Sequence, residues 1–417
     1  MKENYDRSRR KLIATMMGLP FVGHLTAKGS ITDLFTEQHT ELPAKDLFDI
    51  KGTYINAAYI HPMSKGSFKL IGSYLNERLI NGHIPAYDMD TTRKETKALF
   101  AKLINADVEE IAWVPSTMAG ENCIINGLSI RDTRSKVVTD AYHFSGSLFM
   151  YNELAKQGLD LHVVRPDGNK INLNDLDAAI TPDTKLVAVS LVSAFNGFQH
   201  DLKKVCEIAH SKNVPVYADI IQAAGAVPID VKESGVDFCA CATYKWLMGD
   251  FGAGFLYVKK EKMASLKRSQ SGYRQEAEFI SHVYPFDEPG NVMFETESKK
   301  DASGYFEVGT LANEAIPALR HSLEYLIKTG ISKIQEYRKS MLDLLQQKLP
   351  SLGFIPLTPQ DSTSPIVAFA MKDAPGKLKA KLDAAGINIQ VYQNRIRISP
   401  SVYNDMKDIE TLIKTLS

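Results

Sequence analysis

The stretch CATYKWLMGDFGAGFLYV, residues 241–258, sets one lysine, Lys245, between two apolar runs, each short enough to be a buried strand. A lysine is almost never fully buried unless it is paired or used chemically. Two other places in the chain could meet its amine. The run VPVYAD ends in Asp219, with Gln222 three residues later. A carboxylate at the carboxyl end of a buried strand stands where open α/β sheets bind ligands. The strand predicted at 110–115 runs into PSTMAGEN, so Ser116 and Thr117 open a helix. Its first N–H groups lack partners and attract anions. Each position has a plainer reading. Asp219, Ser116 and Thr117 could be simple helix caps, and Lys245 could snorkel from an edge strand.

Taken together, anion cradle, carboxylate and amine sit at the ends of different strands in one sheet. That set suits a cofactor with a phosphate, a basic ring nitrogen and an aldehyde. Pyridoxal 5′-phosphate has those groups; it is held by a lysine Schiff base, with an acidic partner for the ring nitrogen. A protonated ring can then draw electrons from a carbanion at the Cα of an amino acid.

The elements that must position these residues alternate from about residue 90. TTRKETKALFAKLIN (91–105), ENCIINGLSI (121–130), SLFMYNELAKQG (147–158) and DLKKVCEIAHSK (201–212) have helical spacing. EIAWVP, KVVTD, LHVVRP, KLVAVSLVS, VPVYAD, DFCACAT and GAGFLYV read as strands. Short β-branched runs separated by helices predict a mostly parallel central sheet sandwiched by helices. Beyond about 260 the alternation weakens. A long helical pattern at 314–349 leads into PIVAFAM, GKLKAKLDAAG, RIRIS and a last helix, a smaller α+β unit. The expected division is residues 29–310 for the N-terminal segment plus large domain and 311–417 for the small C-terminal domain. Residues 66–88 give no clear strand.

Residues 1–28 differ from the rest. Arg9 and Arg10 follow Ser8, and after Lys11 comes a stretch without acidic, lysine or arginine side chains up to Lys28, a twin-arginine-like signal segment. The expectation is export to the periplasm, with a cytoplasmic location as the alternative. The plainer reading is an amphipathic helix packed on the body. The 417 residues carry 49 basic and 49 acidic side chains, so charge points to no nucleic-acid or membrane partner. The four cysteines, Cys123, Cys206, Cys239 and Cys241, show no metal-ligand spacing and suit packing. No Gly-x-Gly-x-x-Gly follows the first strand and no Walker sequence occurs, which weighs against a nucleotide-dependent enzyme.

The segments ADIIQAAG, DFCACATYKWLMGDFGAGFLYV, YFEVGT and RISPSVYN resemble the class V aminotransferase superfamily of fold-type I pyridoxal-phosphate enzymes. That superfamily includes cysteine desulfurases, selenocysteine lyases and isopenicillin-N-epimerase-like proteins. The resemblance implies a role for each matching residue. Lys245 carries the Schiff base and shuttles protons, Asp219 pairs with the ring nitrogen, and Gln222 meets the ring hydroxyl. Thr117, Met118 and Ala119 hold the phosphate, joined by Thr243. His143 stacks on the ring and counts with Lys245 and Asp219 as catalytic, although Tyr142 or Phe144 could take its place. Asn196 lies near the ring hydroxyl and substrate. Thr310, after Gly309, reaches the phosphate of a neighbouring subunit, which implies a homodimer. Arg397 grips the substrate α-carboxylate, a task suited to a guanidinium fork. Asn56, in YINAAYIHP (54–62), lines the substrate pocket.

The chain departs from many desulfurases in two places. Tyr244 stands where they have histidine, and GINIQVYQNRI, before Arg397, holds no cysteine to accept sulfur. Aminotransferase or C–S lyase chemistry on an α-amino acid is therefore the leading expectation. An epimerase of the isopenicillin-N type and a non-catalytic module that binds the cofactor are the alternatives. Specificity falls to loops such as 54–62 and 267–300.

Overall fold

The computed structural model describes residues 40–82, 88–132 and 135–417; the signal-like stretch at 1–28 lies outside them. Seven strands form the main sheet: β1 (Ile111–Val114), β2 (Lys136–Asp140), β3 (Asp160–Val164), β4 (Thr184–Ser190), β5 (Val216–Asp219), β6 (Phe238–Ala242) and β7 (Gly254–Val258). Their order is β1-β7-β6-β5-β4-β2-β3. Only β7 runs antiparallel to its neighbours, and the remaining pairs are parallel. The mostly parallel sheet expected from the β-branched runs is present.

Side-chain alternation splits each strand between two cores. Trp113, Val187, Val189, Ala218, Cys239 and Phe255 face one core, while Val114, Leu186, Ala188, Tyr217, Ala240 and Leu256 face the other. Both faces are covered, so every second residue is apolar on each side and the strands read as unbroken apolar runs. Cys239 and Cys241 pack in the first core, and burial pushes the Cys206 thiol to about 12.

Helices α2 (Met89–Ile104), α3 (Thr117–Gly127) and α4 (Ser145–Ala155) pack against this sheet, whereas α1 (Lys65–Asn81) packs on the later helix at 315–329. α1 fills the segment that gave no clear strand. Its Phe68, Leu75, Leu79 and Ile80 are exposed, so its apolar residues do not mark one buried stripe. The long pattern at 314–349 is two helices, α5 (Ala315–Thr329) and α6 (Ile331–Lys348). Gly330 separates them at a φ of 88°, a conformation that favours glycine. Ile316, Leu319, Leu323 and Leu326 of α5 belong to the main core, whereas Met341, Leu342 and Leu345 of α6 open a third.

That third core lies under a four-stranded sheet of Ile355–Pro356, Val367–Ala370, Arg395–Ile398 and Gln390–Tyr392. In the chain between the two sheets, an exposed antiparallel hairpin, Glu276–Ser281 with Phe294–Ser298, occupies the segment expected as a specificity loop. No helix among the described residues is long and apolar enough to cross a membrane.

Candidate active site

The carboxyl ends of β1, β4, β5 and β6 open on one cavity. β1 delivers Ser116, Thr117 and Met118; β4 delivers Ser190, Val192 and Ala194; β5 delivers Asp219, Ile221 and Gln222; β6 delivers Ala242, Tyr244 and Lys245. Phe144, just before α4, closes the wall. Ser190 and Asp219 are register partners on adjacent parallel strands, so the ladder itself sets their spacing.

The turn after β6 is fixed from several sides. Met248 N donates to Lys245 O at 2.8 Å and Gly249 N to Thr243 O at 2.9 Å. Gln222 Oε1 accepts from buried Trp246 Nε1 at 2.9 Å, while Gln222 Nε2 donates to Ala58 O at 2.9 Å. His61 N donates to Tyr244 O at 3.1 Å, so the 54–62 loop clamps the lysine turn. Gly225 meets the same turn: a Cβ there would sit 2.3 Å from Trp246 O.

Asp219 is 2% exposed and Lys245 8% exposed, and the two act on each other electrostatically. Burial raises the Asp219 carboxyl to about 6, against the charge of His143, the Ile221 N–H and Lys245. Burial lowers the Lys245 ammonium to about 8, opposed by Asp219 and assisted by Arg397. Asp219 Oδ1 accepts from Ile221 N at 2.9 Å. Among the described residues no acceptor meets Lys245 Nζ, which lies 5.7 Å from the Tyr244 ring centroid. A buried amine and a buried carboxylate on one cavity wall, with open helix N–H groups beside them, fit pyridoxal phosphate's aldehyde, ring nitrogen and phosphate.

Behind Asp219 lies a polar cluster that the sequence reading missed. Glu121, 0% exposed, accepts from Ser147 Oγ at 2.6 Å and Tyr151 Oη at 2.8 Å. Its Oε1 also lies 3.2 Å from His143 Nε2, and His143 Nδ1 lies 2.8 Å from Ser190 Oγ. Burial pushes His143 down, but the charge and hydrogen bond of Glu121, with Asp219 and Asp140, raise it overall. Both ring nitrogens of His143 are thus engaged in the plane of the ring, one of them by Ser190 of the cavity wall. Phe144, 37% exposed, is the ring that lines the cavity. A glutamate inside a helical pattern gave no sign of burial.

Other expected site residues divide sharply. Thr117 and Met118 line the cavity, and Thr117 Oγ1 accepts from Ala242 N at 2.9 Å. The N-cap Ser116 takes the Ala119 N–H at 3.1 Å, so Ala119 faces a neighbouring cavity with Thr310. Thr310 Oγ1 pairs with Tyr273 Oη at 2.9 Å. Thr243 does not reach the main cavity: its hydroxyl donates to Asp250 O at 2.6 Å and Ala253 O at 3.1 Å, and Ala242 lines the wall instead.

Asn196 is also elsewhere. It donates to Asn169 O and Leu357 O, each at 3.1 Å, and accepts from Phe198 N at 3.0 Å. That pins a turn against the small sheet, where a Cβ on Gly197 would lie 2.3 Å from Ile366 O. Ala194, two residues earlier, lines the cavity. Arg397 comes from the small sheet and donates from Nη1 to Ala194 O at 2.9 Å. Asn56 bridges to Ser399 on the same segment and donates to Asn388 Oδ1 at 3.1 Å; it does not line the cavity.

The family model for aminotransferase class-V matches residues 72–412. A probable cysteine desulfurase of Methanothermobacter thermautotrophicus is 29% identical over 307 residues, 72% of this chain and 73% of that protein. An uncharacterized aminotransferase of Bacillus subtilis, YcbU, is 26% identical over 76% of this chain and 81% of that one. Among solved structures, the apo cysteine desulfurase of Thermococcus onnurineus superposes with a TM-score of 0.76 at 21% identity, covering 87% of this chain and 93% of that one. The cystine C–S lyase C-DES, in complex with cysteine persulfide, gives 0.76 at 19% identity over 88% of this chain and 97% of that one. At these identities the two structures show a shared fold.

Proposed function

From the premise that this chain belongs to the aminotransferase class-V family, and so is a pyridoxal-phosphate enzyme with aminotransferase or C–S lyase chemistry, we propose how its residues divide the work. The observation that carries the proposal is Lys245 and Asp219 on one buried cavity wall. When bound, the cofactor supplies an electron-withdrawing ring that stabilises a carbanion at the Cα of an amino acid.

Each residue then has a task its environment supports. The start of α3, with Thr117 and Met118 lining the cavity, holds the phosphate through backbone N–H groups. Asp219, ionised above about pH 6, holds the proton on the ring nitrogen. Phe144 covers one ring face. Lys245, whose amine is freed of its proton far more readily than usual, would hold the cofactor aldehyde and carry the proton at Cα. Arg397 orients the substrate α-carboxylate at the cavity mouth.

None of the four cysteines lines this cavity, so no protein thiol stands ready to take sulfur from a substrate. That supports transamination, or release of the leaving group directly to solvent, over persulfide formation. The chain works as a homodimer in this reading, because Gly309 and Thr310 line a second cavity beside α3 rather than the first. Purified protein given pyridoxal phosphate should gain visible absorbance and convert at least one α-amino acid. Mass-resolved products separate keto acid from elimination product. A protein that binds the cofactor and converts no amino acid would leave the non-catalytic module standing instead.

A further inference from the structure

The strand Arg395–Ile398 alternates cleanly. Ile396 and Ile398 pack in the small-domain core, which leaves Arg395 and Arg397 on the opposite face. Arg397 reaches Ala194 O, and the next residue along, Phe195, takes Arg395: its Cζ lies 3.8 Å from the Phe195 ring centroid. Tyr392, the strand partner of Arg395, presents its own ring 4.1 Å from the same Cζ. The guanidinium is held as a flat plate between two aromatic faces.

Two features make this pair unusual. No carboxylate among the described residues forms an ion pair with either arginine, and Arg395 Nε and Nη1 and Arg397 Nε are buried without an acceptor. Leaving such donors unmet is costly, and more so where the group is charged. Neither arginine escapes by losing its proton at working pH. Ala194, which accepts from Arg397, lines the cavity, and Phe195, which carries Arg395, follows it, so two unbalanced guanidinium charges stand beside the cavity wall. An α-carboxylate answers Arg397 only. Same-face positions two residues apart on a strand stand about 7 Å apart, a gap a short acidic side chain can bridge.

We propose that Arg395 recognises an acid group at the end of the substrate side chain, so that the substrate is an α-amino acid with two acid groups. This rests on the cavity being the amino-acid site proposed above. The acid is a carboxylate or a sulfinate, both planar or pyramidal oxyanions that a stacked guanidinium can meet. A site built around such a partner rejects the uncharged analogue strongly, because its donors are then left buried and unpaired.

The test uses near-isosteric pairs. Aspartate against asparagine, and glutamate against glutamine, are titrated into the holoenzyme, with cofactor absorbance and kcat/KM as readouts; cysteine sulfinate separates the sulfinate from the carboxylate. The same pairs are measured by calorimetry on cofactor-free protein. Wild type should prefer the acid of at least one pair, or the sulfinate over cysteine, by tenfold or more. Arg395→Met should remove that preference, and Arg395→Lys should restore part of it. Arg397→Met should weaken acid and amide alike. Equal use of acid and amide by wild type, or an unchanged ratio in Arg395→Met, would overturn the inference. Protein that takes up no pyridoxal phosphate but still prefers the acid through Arg395 would overturn the functional reading and keep this one.

Discussion

The two walls of the active site are finished to different degrees. On the sheet side, Gln222, Thr117, Trp246 and Glu121 have their polar atoms engaged by neighbours, and Asp219 and Lys245 are held by short turns. On the side of the four-stranded sheet, Arg395 and Arg397 keep buried donors without partners. A wall whose hydrogen bonds are internal is rigid before any ligand arrives, which suits a cofactor that stays. A wall with unmet donors is completed by what enters, which suits a substrate that leaves. Chemistry and selection are thus built on different elements of the chain.

Substitutions should report that division. Lys245→Ala removes both the covalent anchor and the proton carrier, so turnover should fall by about 10³-fold or more, whatever the substrate. Asp219→Asn leaves the shape and removes the charge. Breaking a buried pair costs about 3–5 kcal/mol, so a loss of about 10²-fold or more in kcat should follow with cofactor still bound. Arg397→Met should act differently, raising KM by about 10–100-fold with a smaller effect on kcat, as loss of a charged hydrogen bond predicts. If the two sides respond with the same kcat-to-KM pattern, the division fails.

The pH dependence comes from the sheet side. Joining an aldehyde needs the neutral amine, and burial has lowered Lys245 from 10.5 to about 8. Cofactor uptake by the apo protein should therefore speed up about tenfold per pH unit below about 8 and level off above it. Asp219, raised from 3.8 to about 6, should be ionised across that range. Stopped-flow absorbance at several pH values checks this, and a rate still climbing at pH 10 would return Lys245 to an ordinary lysine. The smallest effect belongs to Asn196→Ala. It should lower stability by about 1–3 kcal/mol in denaturant unfolding, with kcat nearly unchanged, since its bonds tie the turn to the small sheet.

Lys245 and Asp219 were legible in the sequence because a charged residue at the end of an apolar run is rare and its chemistry is specific. The strands were legible because both faces of the sheet are covered, which writes continuous β-branched runs into KVVTD and VPVYAD. What could not be read was side-chain direction just past each strand end. Thr243 and Ala242 are neighbours in the chain, yet Ala242 lines the cavity while the Thr243 hydroxyl bonds to backbone carbonyls. Helix α1 was hidden because Phe68, Leu79 and Ile80 lie on its exposed side and blur the period. The exposed hairpin at 276–298 follows no buried stripe at all. Arg395 was invisible because the two arginines of RIRIS do not reveal the rings that will hold one of them.

The account depends most on one covalent bond. Borohydride reduction of the cofactor-loaded protein, followed by peptide mass mapping, should place the pyridoxyl group on the peptide containing Lys245 and on no other lysine. Label on a different lysine, or a fully loaded protein that borohydride leaves unlabelled, would contradict it.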